Sequence, residues 1–206
     1  YITFGSFNNT GKLNAGVFDV WSQVLAAVPL SRLVLKWRSL ADETLCGSIR
    51  AAFADRGIDP SRIELRPASF HADVLLQYAD IDIALDPFPF TGGMTSCESL
   101  WMGVPVITWP QDRVVSRQTF AFLSAIGLTE LAAKDAVDYV QIAQTLAADR
   151  TKLIHLRSTL RNTLQASSLM DVAGFTRQLE ATLSKLHHSI KIQEDTQTMT
   201  PKQSCT

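Results

Sequence analysis

Cysteine is scarce in this chain. There are three, Cys46, Cys97 and Cys205, and an odd number at irregular spacing matches neither a disulfide framework nor a zinc site. Charge is sparse and balanced: Asp, Glu, Lys and Arg make up 19% of 206 residues, with a net charge of −1. That leaves no basic footprint for nucleic acid or for an anionic membrane surface. No apolar run approaches the roughly 20 residues of a membrane helix, and no signal peptide precedes Tyr1. Internal repeats are missing as well. Three of the four histidines, His155, His187 and His188, fall on helical segments without cysteine or carboxylate partners at metal spacing. The expectation is a soluble, cytoplasmic protein that engages neither nucleic acid nor membrane. Because the chain starts directly on a strand, it is also expected to be a piece of a longer protein.

What is present is apolar, 46% of the residues, enough for one α/β domain with a sizeable core. The stretch from Leu85 to Thr108 organises it. Ile81–Leu85 is an apolar run that fits a buried strand, and Asp86-Pro87 ends it because proline cannot donate to a sheet ladder. Gly92 and Gly93 allow close approach of the backbone to a ligand. Thr95 opens Thr-x-x-Glu, a capping box closing with Glu98 and starting a helix over Ser96–Met102. Gly103 stops that helix, and Val104–Trp109 reads as the next strand. A glycine-bearing loop at the carboxyl end of a parallel strand, feeding the bare N–H groups of a helix start, is suited to an anion. The same spacing also serves a plain turn.

Taken in order, Tyr1–Phe7 reads as a strand and Asn8–Lys12 as a turn-rich loop. A helix carrying Val17, Val20, Trp21, Val24 and Leu25 follows and ends near Pro29. The pattern then predicts a strand over Arg32–Trp37, a helix over Ala41–Arg56, a strand over Arg62–Arg66, a loop over Pro67–His71 and a short helix over Ala72–Ala79. Beyond the central stretch come a helix over Ser116–Ile126 and successive helices over Ala136–His188, broken near Asp149 and Ser167. Five strands alternating with helices imply a Rossmann-like, doubly wound parallel sheet. Residues 1–188 form the expected domain. The polar remainder, 189–206, is expected to be disordered.

The wording of the central stretch, Asp86-Pro-Phe-Pro-Phe-Thr-Gly-Gly-Met-Thr-Ser-Cys-Glu-Ser-Leu-Trp-Met-Gly-Val-Pro-Val-Ile-Thr, resembles the donor-binding loop and helix of the O-linked N-acetylglucosamine transferase family with its SPINDLY-like members. The resemblance extends along most of Tyr1–His188 and implies the C-terminal half of a two-domain GT-B catalytic core. It further implies an inverting, metal-independent transfer of N-acetylglucosamine from UDP-N-acetylglucosamine to Ser or Thr of a protein acceptor. The N-terminal half and tetratricopeptide repeats are expected in the full-length protein, and no cofactor beyond the donor. Asp80-Ile81-Asp82 has the spacing of a metal-binding Asp-x-Asp but enters a strand.

By the same resemblance Phe7–Lys12 matches the segment ending in the family's phosphate-binding lysine. Lys12 is thus expected to neutralise the leaving diphosphate, with Asn9 as a polar contact. Gly92, Gly93, Met94, Thr95 and Ser96 form the expected phosphate loop, in which Gly93-Met94-Thr95 stands where relatives often carry His-Thr-Thr. Ala68 and Ser69 are expected to meet the base through main-chain groups. His71 either stacks on the ring or is a solvated loop residue. Val74 stands where relatives often have a donor-site histidine. Glu98 has two competing roles, a helix cap or an acceptor for the ribose hydroxyls, since a carboxylate accepts two O–H donors. Cys97 is read as a packing residue, and Ser116-Arg117 as a cap with an ion pair. Three alternatives of the same architecture stay open: a GDP-fucose-using protein O-fucosyltransferase, a nucleotide-sugar 2-epimerase, and a binding domain without chemistry.

Overall fold

The computed structural model describes residues 1–198, and the chain divides into two compact units at Ala166. In the first unit five parallel strands, β1 (Thr3–Ser6), β2 (Arg32–Lys36), β3 (Ile63–Arg66), β4 (Ile83–Leu85) and β5 (Val106–Ile107), lie in the order β3-β2-β1-β4-β5. Phe4 pairs with Leu33 on one side and Ile83 on the other, and Leu85 with Ile107. A parallel bridge from Thr108 to Ala132 continues beyond β5. Strands are shorter than the apolar pattern suggests, because the pattern marks burial and the ladder ends where the loops diverge. Tyr1 is exposed and unpaired, while Phe7 is buried beyond the last β1 residue.

Helix α1 (Ala15–Ala27) starts at Asn14, whose Oδ1 accepts the Val17 N–H, and α2 (Glu43–Ala54) at Asp42, which accepts from Thr44 and Leu45. α3 (His71–Gln77), α4 (Met94–Trp101), α5 (Gln118–Ala125), α6 (Ala136–Ala148) and α7 (Arg150–Gln165) follow. Right-handed crossovers put α1 and α2 on one face of the sheet and α4 on the other. α1 packs on α2 and α6, and α4 on α5 and α7. The core is centred on Phe4, Trp21, Phe53, Ile83, Leu100 and Tyr139, all sealed from solvent. Arginine side chains tie the helices to the strand ends. The Arg157 guanidinium of α7 donates to the carbonyls of Ile81 (2.7 Å), Tyr78 (3.2 Å) and Met102 (3.3 Å).

The second unit holds a 3-10 turn at Ser168–Met170 and the helix α8, Val172–Thr198. Residues 189–198 are therefore helical and not the disordered tail expected. Polarity alone does not end a helix, and no glycine or proline falls between Gly174 and Pro201. The rest of that expectation, 199–206, lies outside the described residues. Val172, Phe175, Leu179, Leu183, Leu186 and Ile190 recur at helical spacing on one face of α8.

α4 closes with a Schellman motif: Gly103 N–H donates to Leu100 O at 3.1 Å and Val104 N–H to Ser99 O at 2.9 Å. Gly103 has φ +80°, and a Cβ there would lie 2.5 Å from the Arg157 carbonyl oxygen. Gly103→Ala should accordingly destabilise the chain by roughly 1–3 kcal/mol. The check is the urea midpoint at unchanged slope, and an unaltered midpoint would show that α7 gives way freely.

Candidate functional site

The strand order reverses between β1 and β4, and in such sheets the crevice at the reversal is where ligands bind. Two loops converge there. The one after β1 ends in a 3-10 turn, Thr10–Lys12, capped by Asn9, whose Oδ1 accepts the Gly11 N–H at 2.9 Å. That turn delivers Lys12 to the second loop. Its Nζ donates to Thr91 O at 2.9 Å and to Asn8 Oδ1 at 3.0 Å, and lies 4.5 Å from the centre of the Phe90 ring. An ammonium has three N–H groups, and these two acceptors hold two of them. Burial lowers the Lys12 pKa, and the charge on Asp86 opposes that shift.

Asp86 anchors the second loop from below. It is wholly buried, its Oδ1 accepting the Gly92 N–H at 2.6 Å and its Oδ2 the Thr108 hydroxyl at 2.7 Å. Burial pushes its pKa up to about 6; the Thr108 and Thr119 hydroxyls, the Gly92 N–H and the Lys12 charge pull the other way. An ordinary aspartate ionises near 4. The unfolded chain therefore ionises first, and this group costs the fold stability as pH rises from about 4 through about 6. Gly92 is confined by its contacts: a Cβ would collide with Ser96 Oγ and lie 3.0 Å from Thr95 Oγ1 and 3.1 Å from Asp86 Oδ1. Thr91 is held from the other side, its N–H and hydroxyl both donating to Val115 O.

The helix start differs from the capping box expected. α4 begins at Met94 with Gly93 as N-cap and no side-chain cap, two residues earlier than the Thr-x-x-Glu pattern predicts. Thr95 is inside the first turn, and its hydroxyl donates across the crevice to Asn8 Oδ1 at 3.0 Å. Tertiary geometry supplies that acceptor, and the local motif loses to it. The N–H groups of Met94 and Thr95 lie in the first turn, where a helix offers no acceptor. Ser96 is a correction of a different kind. Its N–H bonds to Gly93 O and its hydroxyl, buried, pairs with Thr119 Oγ1 at 2.8 Å, so it fastens the loop from behind.

Beside the helix start opens a cleft of about 340 Å³ lined by Ala68, Ser69, Met94, Thr95 and Glu98, together with Phe7, Lys36, Trp37, Arg38 and Val74. Five expected site residues thus meet in one cavity. Glu98, on the second turn of α4, is part of that lining. His71 opens α3 at the cleft's border with Phe70 as N-cap. Lys36 was not foreseen: it is buried at the end of β2 and donates to Pro67 O at 2.7 Å, fixing the start of the loop that carries Ala68 and Ser69. Burial, then the neighbouring Arg66, lowers its pKa, against Asp73. Asn8 and Asp86 were missed too. Each had one signal in the sequence, a polar residue ending an apolar strand at the carboxyl edge of the sheet.

Asp80 pairs with Arg66 at 2.8 Å, and Asp82 Oδ2 accepts the Thr3 N–H at 2.8 Å, so the Asp-x-Asp spacing is used structurally. Among the described residues no three His, Cys, Asp or Glu side chains cluster as a metal site would need.

A parallel sheet whose two converging loops meet at the reversal, one bearing a lysine and the other a helix start, is the architecture of a nucleotide-binding domain. The chain belongs to glycosyl transferase family 41, whose model matches residues 1–179. It is 40% identical over 182 residues to the probable UDP-N-acetylglucosamine--peptide N-acetylglucosaminyltransferase SPINDLY of Oryza sativa subsp. japonica, covering 88% of this chain and 20% of that protein. It is 31% identical over 186 residues to the UDP-N-acetylglucosamine--peptide N-acetylglucosaminyltransferase of Caenorhabditis elegans, 90% of this chain and 16% of that one. A lysine-to-methionine mutant of the Thermobaculum terrenum O-GlcNAc transferase superposes with TM-score 0.85 at 36% identity, over 90% of this chain and 36% of that chain. An Anabaena protein in complex with UDP and glucose shares the fold, TM-score 0.61 at 15% identity. The chain spans about a fifth of the length of the curated relatives.

Glu98→Gln should weaken UDP binding by about tenfold or more, the worth of one charge-assisted hydrogen bond. Calorimetric titration checks it. Full affinity in the variant would take Glu98 out of the site.

Proposed function

We propose that this chain is the donor-binding half of an inverting, metal-independent protein O-glycosyltransferase that moves N-acetylglucosamine from UDP-N-acetylglucosamine to Ser or Thr of a protein. The observation that carries the reading is the meeting of Lys12 Nζ with Thr91 O at the strand reversal, three residues before α4 begins at Met94. The relatives' names supply the donor and the peptide acceptor. When the glycosidic bond to the diphosphate breaks, negative charge gathers on the β-phosphate. Lys12 contributes a full positive charge there, and the start of α4 contributes N–H groups and the positive end of its dipole. Both are preorganised, so little reorganisation accompanies bond breaking. Together they do the work that a divalent cation does in other sugar transferases.

The cleft beside this anion site takes the nucleoside. Glu98 holds the ribose diol, and the main chain at Ala68 and Ser69 meets the base. Gly93 and Val74, standing where relatives often have histidines, leave backbone groups and Lys12 to carry the diphosphate. The groove for the acceptor and the group that takes its hydroxyl proton belong to the part of the relatives that this chain does not span. The stripe on α8 is apolar surface suited to that partner half.

Two outcomes follow. Lys12→Ala should weaken UDP binding by about tenfold or more while uridine binding changes little, because an ionic contact to phosphate is worth roughly 1.5–3 kcal/mol. Equal UDP affinity in mutant and parent would remove Lys12 from the site. In a peptide glycosylation assay the chain alone should transfer no sugar, and transfer should appear when the N-terminal half is supplied. Transfer by the chain alone would refute the division of labour.

A further inference from the structure

We infer that Asp86 is a positioning residue for the donor site: its ionised carboxylate holds the segment Phe90–Gly93 in place and, through that segment, the Lys12 ammonium. The inference rests on the donor-site reading above and adds a residue that touches neither donor nor acceptor.

The geometry is a short chain of contacts. Asp86 Oδ1 accepts the Gly92 N–H at 2.6 Å, and the carbonyl one residue back, Thr91 O, accepts from Lys12 Nζ at 2.9 Å. The carboxylate therefore sets the plane of the peptide whose oxygen seats the lysine. Oδ2 takes the Thr108 hydroxyl at 2.7 Å, which locks the carboxylate to the end of β5. The backbone of Asp86 is fixed independently: its N–H donates to Ile107 O at 3.0 Å and its carbonyl accepts the Tyr139 hydroxyl at 3.1 Å. Gly92 O is held by the Thr119 hydroxyl at 3.1 Å. The Gly92 N–H can only donate, and the Thr108 hydroxyl donates as placed, so the ionised form satisfies both. A proton fits only on Oδ2, where the Thr108 hydroxyl would turn to accept it.

The titratable and charged groups facing Asp86 are Lys12, from the loop after β1, and Tyr139, from α6, whose own pKa is raised by burial and by the Asp86 charge. Tyr139 stays neutral and donates to main-chain oxygens, so Lys12 is the charge coupled to Asp86. Burial favours the neutral acid, and the half-ionised point lies at about pH 6. The ionised form therefore dominates above that pH, and the loop is clamped there. As pH falls through about 6 the carboxylate is protonated, the Gly92 N–H is left with a neutral acceptor in place of a charged one, and Lys12 loses the counter-charge beside it.

A merely structural carboxylate and a positioning one differ in sign. Asp86→Asn keeps an acceptor for Gly92 N–H and removes a buried charge, so stability at pH 7.5 should hold or rise. Diphosphate affinity should nevertheless fall. The experiment uses the full chain with two readouts: the Gly92 amide resonance titrated from pH 4.5 to 8 without ligand, and UDP and uridine affinities by calorimetry over the same range. In the parent the Gly92 resonance should titrate near pH 6 and UDP affinity should drop as that transition is crossed from above. In Asp86→Asn the resonance should not titrate, and UDP should bind about tenfold more weakly at pH 7.5 with uridine unchanged. UDP protonates its own phosphate in this range, so the pH effect is read as the difference between parent and variant. Thr108→Val removes one donor and should move the Gly92 midpoint upward, which keeps the test decisive should the Asn variant fail to fold. A parent Gly92 resonance that does not titrate, or UDP affinities equal in parent and Asp86→Asn at every pH, would overturn the inference. A titrating Gly92 in a chain that binds no UDP would support the clamp and overturn the donor reading instead.

Discussion

The strand reversal between β1 and β4 is the constraint on which the rest depends. Parallel strands need crossovers, and when the chain turns back past its first strand the loops on either side diverge and leave a gap at the carboxyl edge. In this chain the gap is filled by side chains that bridge it. Lys12 and Asn14 of the first loop reach Thr91 and Phe88 of the second, and Thr95 reaches back to Asn8. These bonds tie the two loops together across the crevice, and the cleft beside α4 opens next to them. Position of charge follows from topology, and only then from residue identity.

Much of this was legible in the sequence. The five strands, the central loop and helix and the stop at Gly103 all lie where apolar periodicity and glycine placement put them, give or take the ends. What failed shares a cause. Thr95 and Glu98 spell a capping box, but Asn8, distant in sequence, offers the Thr95 hydroxyl a better partner, and the helix starts at Met94. Local motifs assume that local partners win. Asp86 was read only as the end of a strand and Lys36 was not singled out within one, because nothing in a one-dimensional pattern distinguishes a charge that leaves the sheet for water from one that turns inward. Residues 189–198 were read as tail for the converse reason: polarity marks the lack of a core to pack on, and backbone helicity does not require one.

The two lysines at the site show how differently one residue type can be used. Lys12 spends two of its donors on position, at Thr91 O and Asn8 Oδ1. Lys36, deeper and on the neighbouring strand, gives a donor to Pro67 O and so shapes the wall carrying Ala68 and Ser69. Both are desolvated, and each sits beside a carboxylate that offsets part of that cost, Asp86 for one and Asp73 for the other.

The buried carboxylate of Asp86 also has a meaning on an evolutionary scale. Displacing an aspartate from near 4 to about 6 corresponds to a cost on the order of 3 kcal/mol to the folded state when ionised. Mutation supplies cheaper replacements continuously, since an amide or an apolar side chain at that position relieves the cost. A lineage that stopped using the crevice would have no reason to keep the acid, and drift would erase it before the surrounding core.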